Sequence, residues 1–139
     1  MDEQSLVTID LELAVFIRRV TATNRKIGNL DRSAYLLLHR ITSHGPSGVK
    51  SLADHFQLDI STVSRQVAVL EQKGYVYRIP DPLDGRAYSL QITDIGKKEF
   101  EEDRDLRFEK IKENLKEWSE EERILFGHLL RKYNHSSSK

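Results

Sequence analysis

The stretch that decides the fold runs from Val49 to Thr93, VKSLADHFQLDISTVSRQVAVLEQKGYVYRIPDPLDGRAYSLQIT. Its first half contains two runs of apolar side chains at helical spacing, and a break at Leu58 and Asp59 separates the runs. The first run consists of Val49, Leu52, Ala53 and Phe56, and the second of Ile60, Val63, Val67 and Leu70. The pattern predicts two short helices joined by a tight turn, which is a helix-turn-helix unit.

After the second helix the apolar spacing changes to an alternation that is typical of strands. Gly74 is expected to end the helix, because glycine tolerates the left-handed backbone found just past helix ends. Residues 75–79 and 86–92 are two candidate strands, and residues 80–85 form the loop between them. We call this predicted hairpin, residues 75–92, the wing. The predicted fold is mainly α with a small β-hairpin wing, a winged helix-turn-helix core flanked by N-terminal and C-terminal helices.

The side of the second helix that faces away from the core is polar. We expect Asp59 to cap the amino end of this helix with its side chain. The outward positions are Ser61, Thr62, Ser64, Arg65, Gln66 and Val69. Hydroxyls bind phosphates or base edges, and arginine pairs with guanine through two hydrogen bonds, whereas a solvated face would more often alternate Glu and Lys. The pattern therefore favours a face that binds the major groove of double-stranded DNA over an ordinary solvated face.

The wing carries a further arginine near its tip. Arg86 directly follows Gly85, and a narrow minor groove attracts an arginine held at such a tip. Asp84 is the candidate support for the wing, because its carboxylate would hold the Arg86 guanidinium in an extended position. The alternative is that Arg86 only forms a surface ion pair with Asp84. The two interactions are compatible, and the sequence favours contact with DNA.

These residues resemble the multiple antibiotic resistance regulator (MarR) family of dimeric winged-helix transcription factors. The matching segments are 61–65 (STVSR), 70–76 (LEQKGYV) and 84–86 (DGR), followed by Ile92 and Thr93. The wing pattern of the family usually ends in Leu-Thr, so Ile92 in place of leucine is a small departure. The resemblance implies that Arg86 enters the minor groove and that a recognition helix carries Ser61, Thr62, Ser64, Arg65 and Gln66. It also implies a ligand-responsive repressor that binds a pseudo-palindromic operator as a dimer.

Composition limits the classes of function. The chain has 139 residues, of which 38% are hydrophobic and 32% charged, which suits one domain with a real core. The formal net charge is zero, and residues 50–86 contain five basic and five acidic side chains. DNA binding would therefore rely on local groups instead of bulk charge. This neutrality also supports an alternative hypothesis, a winged-helix module that binds protein and has lost DNA binding.

Several other classes of function find no support in the sequence. There is no cysteine, which excludes disulfides, thiolate metal sites and cysteine redox switches. His39 and His44 are five residues apart and would point in different directions on a helix, so no metal site is expected. The chain has no nucleophile motif and no phosphate-binding loop, so we expect neither an enzyme nor a cofactor. No segment is apolar enough to span a bilayer, and we expect a cytoplasmic protein without a membrane partner.

Long amphipathic helices are predicted on both sides of the winged unit. The first, residues 5–29, has a wider apolar face than a helix needs to pack against one neighbouring element. The last begins with a capping box at residues 119–122 and carries a broad apolar stripe. Excess apolar surface of this kind indicates a partner chain. We predict a homodimer in which residues 1–30 and 94–139 form the interface and residues 31–93 bind DNA.

A helix that starts at Asp31 or Ser33 and continues to His44 is nearly apolar at its centre, which predicts burial. The family resemblance implies an effector bound between the dimer helices and the winged unit. An apolar wall with a few polar groups suits a small aromatic or anionic molecule. The candidate lining residues are Phe16, Arg18, Tyr35 and His39, and their alternative role is core packing.

Overall fold

The computed structural model describes residues 1–22 and 30–136. Within those ranges the chain is mainly helical and contains one antiparallel hairpin, which confirms the predicted fold class. The elements, in chain order, are α1 (Glu3–Ala22), α2 (Arg32–His44), α3 (Val49–Phe56), α4 (Ile60–Gln72), β1 (Val76–Pro80), β2 (Tyr88–Ile92), α5 (Asp94–Asn114) and α6 (Glu120–Ser136).

The helix-turn-helix unit consists of α3, a short turn and α4, as predicted. Gln57 ends α3 in the left-handed region, at φ 55°, a conformation that glycine adopts more easily. The backbone N–H of Leu58 donates to the Ala53 carbonyl at 2.9 Å and closes the turn. Asp59 occupies the N-cap of α4, but its side chain makes no capping hydrogen bond. The predicted side-chain cap is therefore wrong, and only the Asp59 backbone carbonyl accepts, from the Val63 N–H at 3.1 Å.

The wing is an antiparallel pair of strands in which Val76 lies opposite Ile92 at the open end and Pro80 lies opposite Tyr88 at the loop end. Pro80 has no N–H to donate, and it is tolerated because both strands of a two-stranded sheet are edge strands. Leu90 in the middle of β2 is fully buried, whereas the other residues of that strand are half-buried. This leucine is therefore the main anchor of the hairpin on the helices.

One apolar core joins these elements. Leu30 and Phe100 belong to it, although they lie outside residues 31–93. The connection between α2 and α3 also joins the sheet, because Ser47 and Leu90 exchange two backbone hydrogen bonds, at 3.1 and 2.8 Å. The buried apolar side chains are Leu30, Leu37, Leu38, Ile41, Leu52, Ala53, Val63, Val67, Leu70, Val76, Leu90 and Phe100.

The first turn of α5 is fixed to the winged unit by a set of close contacts. The Thr93 hydroxyl caps α5 by accepting from the Gly96 N–H at 3.0 Å, and it donates to the Gly74 carbonyl at 2.6 Å. Gly96 lies directly against the Tyr75 backbone. A β-carbon at position 96 would be 2.9 Å from the Tyr75 carbonyl carbon and closer still to its oxygen. The packing therefore has room for glycine alone.

Two turns further along, α5 is tied to the start of α2 by a buried carboxylate. Asp103 is only 1% exposed, and it accepts a hydrogen bond from the Leu30 backbone N–H at 3.0 Å. A carboxylate removed from water needs such donors, because burial without them is costly. The bond therefore holds α5 alongside α2, where Phe100 enters the core.

The outer helices α1 and α6 leave their apolar faces exposed within this chain. No described side chain of either helix is buried. The predicted capping box of α6 is confirmed, since the Ser119 hydroxyl accepts from the Glu122 N–H at 3.1 Å and a Glu122 carboxylate oxygen accepts from the Ser119 N–H at 2.8 Å. The predicted end of the first helix near Asn29 lies outside the described residues.

Replacing Gly96 with alanine should destabilise the protein, because the new methyl group would overlap the Tyr75 backbone. Overpacking of this kind typically costs about 1–3 kcal/mol. We expect the free energy of unfolding, measured by urea denaturation, to fall by about 1–3 kcal/mol or more. Gly85→Ala is the matched control, since a β-carbon at Gly85 meets no atom within 4 Å. An unchanged urea midpoint for Gly96→Ala would contradict the close packing of α5 on the wing.

Candidate nucleic-acid interface

α4 turns its polar side away from the core. Ser61, Ser64 and Arg65 are exposed, and Thr62 and Gln66 are half-buried. These five side chains occupy the first two turns of a helix of 13 residues. Such a helix is about 20 Å long, and a major groove about 12 Å wide admits it. The side chains selected from the sequence therefore lie together on one accessible surface, which we call the α4 face.

Gln66 differs from its neighbours on the α4 face. Its side-chain carbonyl oxygen is buried and has no hydrogen-bond partner among the described residues. A two-bond contact with adenine needs both the oxygen and the nitrogen of the amide. The Gln66 side chain therefore has to rotate outward before it can make that contact, and outward rotation also relieves the unpaired buried oxygen.

Two exposed arginines mark the α4 face and the wing. Among the described residues, neither Arg65 nor Arg86 takes part in an ion pair or a side-chain hydrogen bond. An unpaired guanidinium can bind a phosphate or a guanine without first breaking a contact within the protein. Both arginines are thus available to a nucleic acid.

The loop of the wing is held by its aspartates through the backbone. The Asp84 carboxylate accepts from the backbone N–H of Arg86 at 3.0 Å, and the Asp84 carbonyl accepts from the Ala87 N–H at 3.0 Å. The expected ion pair between Asp84 and the Arg86 guanidinium is wrong, because none is present among the described residues, and support of the wing by Asp84 stays a prediction. The carboxylate is used by the turn, which leaves the guanidinium free to extend.

Arg78, a third arginine in the wing, is paired within the protein. It donates two hydrogen bonds to Glu71 in the last turn of α4, at 2.8 and 3.1 Å, and its guanidinium lies 4.2 Å from the ring centre of Tyr88. The hydrogen bond with Glu71 raises the pKa of Arg78. The contact neutralises this arginine and joins α4 to both strands. Sequence analysis missed it, because a pair seven residues apart across a helix–strand boundary leaves no periodic signal.

The structure brings together two of the four predicted effector-site residues. Tyr35 and His39 lie on α2 with ring centres 6.3 Å apart, and both rings contact Phe100 of α5, at 5.1 and 5.8 Å. Phe16 and Arg18 lie on the exposed side of α1, and in the described ranges no ring contact or hydrogen bond joins their side chains to Tyr35 or His39. Among the described residues, therefore, the ring contacts join only Tyr35 and His39 of the four.

A residue that sequence analysis did not select completes the aromatic cluster. The Arg107 guanidinium lies 4.0 Å from the ring centre of Tyr35, and its Nε is buried without a hydrogen-bond partner in the part of the chain that the structure describes. Burial raises the pKa of Tyr35, and the positive charge of Arg107 opposes that rise. The cluster thus combines an aromatic wall with an unsatisfied cationic donor.

The described residues contain neither a candidate metal cluster nor a helix that could span a membrane. Across residues 1–22 and 30–136, no group of three or more His, Asp or Glu side chains is placed to hold a metal ion. None of the described helices combines the length and the apolar character needed to cross a membrane.

Comparison with known proteins agrees with the fold. The MarR family model matches residues 30–88. The HTH-type transcriptional regulator YxaD of Bacillus subtilis, described as uncharacterized, is 46% identical over 129 residues, which are 91% of this chain and 90% of that protein. A relative this similar over nearly the whole length shows common family membership.

Two solved structures share the architecture. A MarR family protein from Bacillus stearothermophilus, 22% identical, matches with a TM-score of 0.80 over 100% of this chain and 99% of its own. The PcaV regulator of Streptomyces coelicolor, solved in complex with its natural ligand, is 19% identical. It matches with a TM-score of 0.71 over 98% of this chain and 94% of its own. The family match favours DNA binding over a module that binds protein alone. The chain belongs to the MarR family and is a winged helix-turn-helix DNA-binding transcriptional regulator.

Proposed function

We propose that the chain is a cytoplasmic repressor that binds a pseudo-palindromic operator as a homodimer, with α4 in the major groove and the wing tip in the adjacent minor groove. The observation that carries the proposal is the pair of exposed guanidinium groups of Arg65 and Arg86, one on each element, without an ion-pair partner among the described residues. Arg65 would pair with guanine, and Arg86 would follow a narrow minor groove. The remaining contacts to phosphates or base edges would come from Ser61, Thr62, Ser64 and Gln66.

The dimer is proposed from the apolar faces of the outer helices. Residues 1–30 and 94–139 would form the interface, and residues 31–93 would bind DNA. The exposed apolar side chains on α1 and α6 are Leu6, Val7, Ile9, Leu11, Val15, Phe16, Ile17, Ile124, Leu125, Phe126, Leu129, Leu130 and Tyr133. So large a surface exceeds the apolar patches of typical monomers. A two-fold axis would place two α4 helices on half-sites roughly 34 Å apart, and a dimer that covers both half-sites would exclude other proteins from that DNA.

The effector is proposed to be a small aromatic acid that binds at the cluster of Tyr35, His39, Phe100 and Arg107. The rings would stack on the aromatic part of the ligand. The carboxylate would accept a hydrogen bond from the buried Nε of Arg107, which lacks an acceptor among the described residues. Phe16 and Arg18 would reach this site only from the partner chain or after α1 moves.

Alanine substitution of the two exposed arginines should affect DNA binding in different ways. Arg65→Ala should weaken binding to the preferred operator by about 1–3 kcal/mol and relax the preference at the base pair it contacts. Arg86→Ala should weaken binding to all sequences and lower the slope of log affinity against log salt by about 1. Fluorescence anisotropy at several salt concentrations, with duplexes selected from a random pool, measures both effects.

Lys112→Ala provides the matched control for this comparison. It removes one positive charge from α5, where Lys112 is 72% exposed and pairs with Glu109. Because Lys112 lies on α5, outside both the α4 face and the wing, the loss of its charge should leave affinity and salt slope unchanged. Wild-type affinity in both arginine variants would show that the proposed interface is wrong.

Leu129→Glu should convert the protein from a dimer to a monomer and abolish tight operator binding, because it places a charge in the proposed interface. Sedimentation velocity at micromolar concentration measures the change. Leu58→Glu is the control for sedimentation and should remain a dimer, because Leu58 lies in the turn between α3 and α4. Leu58 and Leu129 are similarly exposed, 44% and 49%. A wild-type protein that sediments as a monomer would remove the dimer proposal.

Benzoate should raise the melting temperature of the wild-type protein and weaken its operator affinity, because the ligand stabilises the state that it binds. Arg107→Gln should lose both responses, since it removes the donor for the carboxylate. The control is Lys110→Gln, which removes an exposed charge less than one turn away. An Arg107→Gln protein that still binds DNA and responds to benzoate like wild type would refute this binding site.

A further inference from the structure

Leu83 at the tip of the wing is unusually exposed for a leucine. It is 96% exposed, and among the large hydrophobic side chains of the described ranges only the terminal Met1 exceeds it, while Ile124 follows at 68%. The exposed apolar residues of α1 and α6 belong to continuous helix faces. Leu83, in contrast, stands alone in a loop between Pro82 and Asp84. The fold gains nothing from a leucine at this position.

The loop that carries Leu83 is braced by hydrogen bonds within the loop. The Asp81 carboxylate accepts from the Leu83 N–H at 2.8 Å, and the Asp84 carboxylate accepts from the Arg86 N–H at 3.0 Å. Across the loop, the Asp81 N–H donates to the Ala87 carbonyl at 3.0 Å. Two prolines further restrict the backbone. The loop therefore carries Leu83 and Arg86 three positions apart on a hydrogen-bonded backbone, which reduces the entropy lost when the segment binds.

The charge of the loop does not by itself attract DNA. Residues 80–87 contain two carboxylates, Asp81 and Asp84, and one guanidinium, Arg86, which gives a net charge of −1. Phosphates repel such a tip unless a favourable contact compensates. The walls of the minor groove are deoxyribose rings, whose C–H surfaces favour an apolar side chain, because burying apolar area is favourable regardless of charge.

We propose that Leu83 packs against the deoxyribose walls of the minor groove beside Arg86 and provides the part of the wing's affinity that does not depend on salt. This inference rests on the proposed docking of the wing tip in the minor groove. Arg86 neutralises phosphate charge and releases counterions, whereas burial of Leu83 releases none. The two side chains therefore differ in a measurable way.

The test compares Leu83→Ala, Leu83→Met and Arg86→Ala with the wild-type protein on a duplex selected from a random pool. Leu83→Ala should lose about tenfold in affinity at every salt concentration, with an unchanged salt slope. Leu83→Met, which keeps the apolar volume, should bind within about threefold of wild type. The melting temperature of the Leu83 variants should be unchanged, since Leu83 packs on nothing in the fold.

The outcomes separate this inference from the proposed function. If Arg86→Ala weakens binding and Leu83→Ala does not, the wing docks as proposed but Leu83 has no part in it. If Leu83→Ala lowers the salt slope as Arg86→Ala does, Leu83 acts through the position of the arginine and the inference is overturned. If neither substitution changes affinity, the docking of the wing itself is wrong.

Discussion

The relative position of α4 and the wing depends on one junction, where α4 ends, the wing begins and returns, and α5 starts. The Thr93 hydroxyl donates to the Gly74 carbonyl, and the Thr93 N–H donates to the Tyr75 carbonyl at 3.0 Å. Gly96 packs against the same Tyr75 backbone. These contacts involve backbone groups that cannot reorient independently, so the wing cannot pivot away from α4 without breaking several of them. The base of the wing is therefore fixed relative to the end of α4.

The same junction makes α5 part of that surface. Asp103 binds the Leu30 backbone, and Phe100 enters the core, so the first half of α5 moves with α2 and the helix-turn-helix. In the proposed dimer, the relative orientation of the two DNA-binding units would then depend on the packing of α1 and α6. An effector changes DNA affinity only if it binds one of those orientations better than the other.

Local signals in the sequence were sufficient for most elements of the fold. The left-handed Gly74 after α4 follows from residue type and spacing. The sequence left Asp31 and Ser33 as alternative starts of α2, and the structure selects Asp31, whose side chain caps the helix by accepting from the Ala34 N–H at 2.8 Å. Contacts between distant residues could not be predicted from the sequence. Spacing carries no information about a bond such as the one between Asp103 and Leu30, which are 73 positions apart. The predicted partner of Asp84 was wrong for a related reason. Its carboxylate binds the nearest backbone N–H, which costs less entropy to hold than a flexible guanidinium.

The neutral charge of the chain bears directly on how it distinguishes one DNA sequence from another. Five basic side chains lie between residues 50 and 86, and Glu71 neutralises one of them, Arg78. Non-specific affinity comes almost entirely from phosphate neutralisation, so a surface with few free cations binds random DNA weakly. In the proposed complex, directed contacts from α4 and the wing would then make up a larger fraction of the total binding energy. Since occupancy in a genome depends on the ratio of specific to non-specific affinity, weak electrostatic attraction improves discrimination.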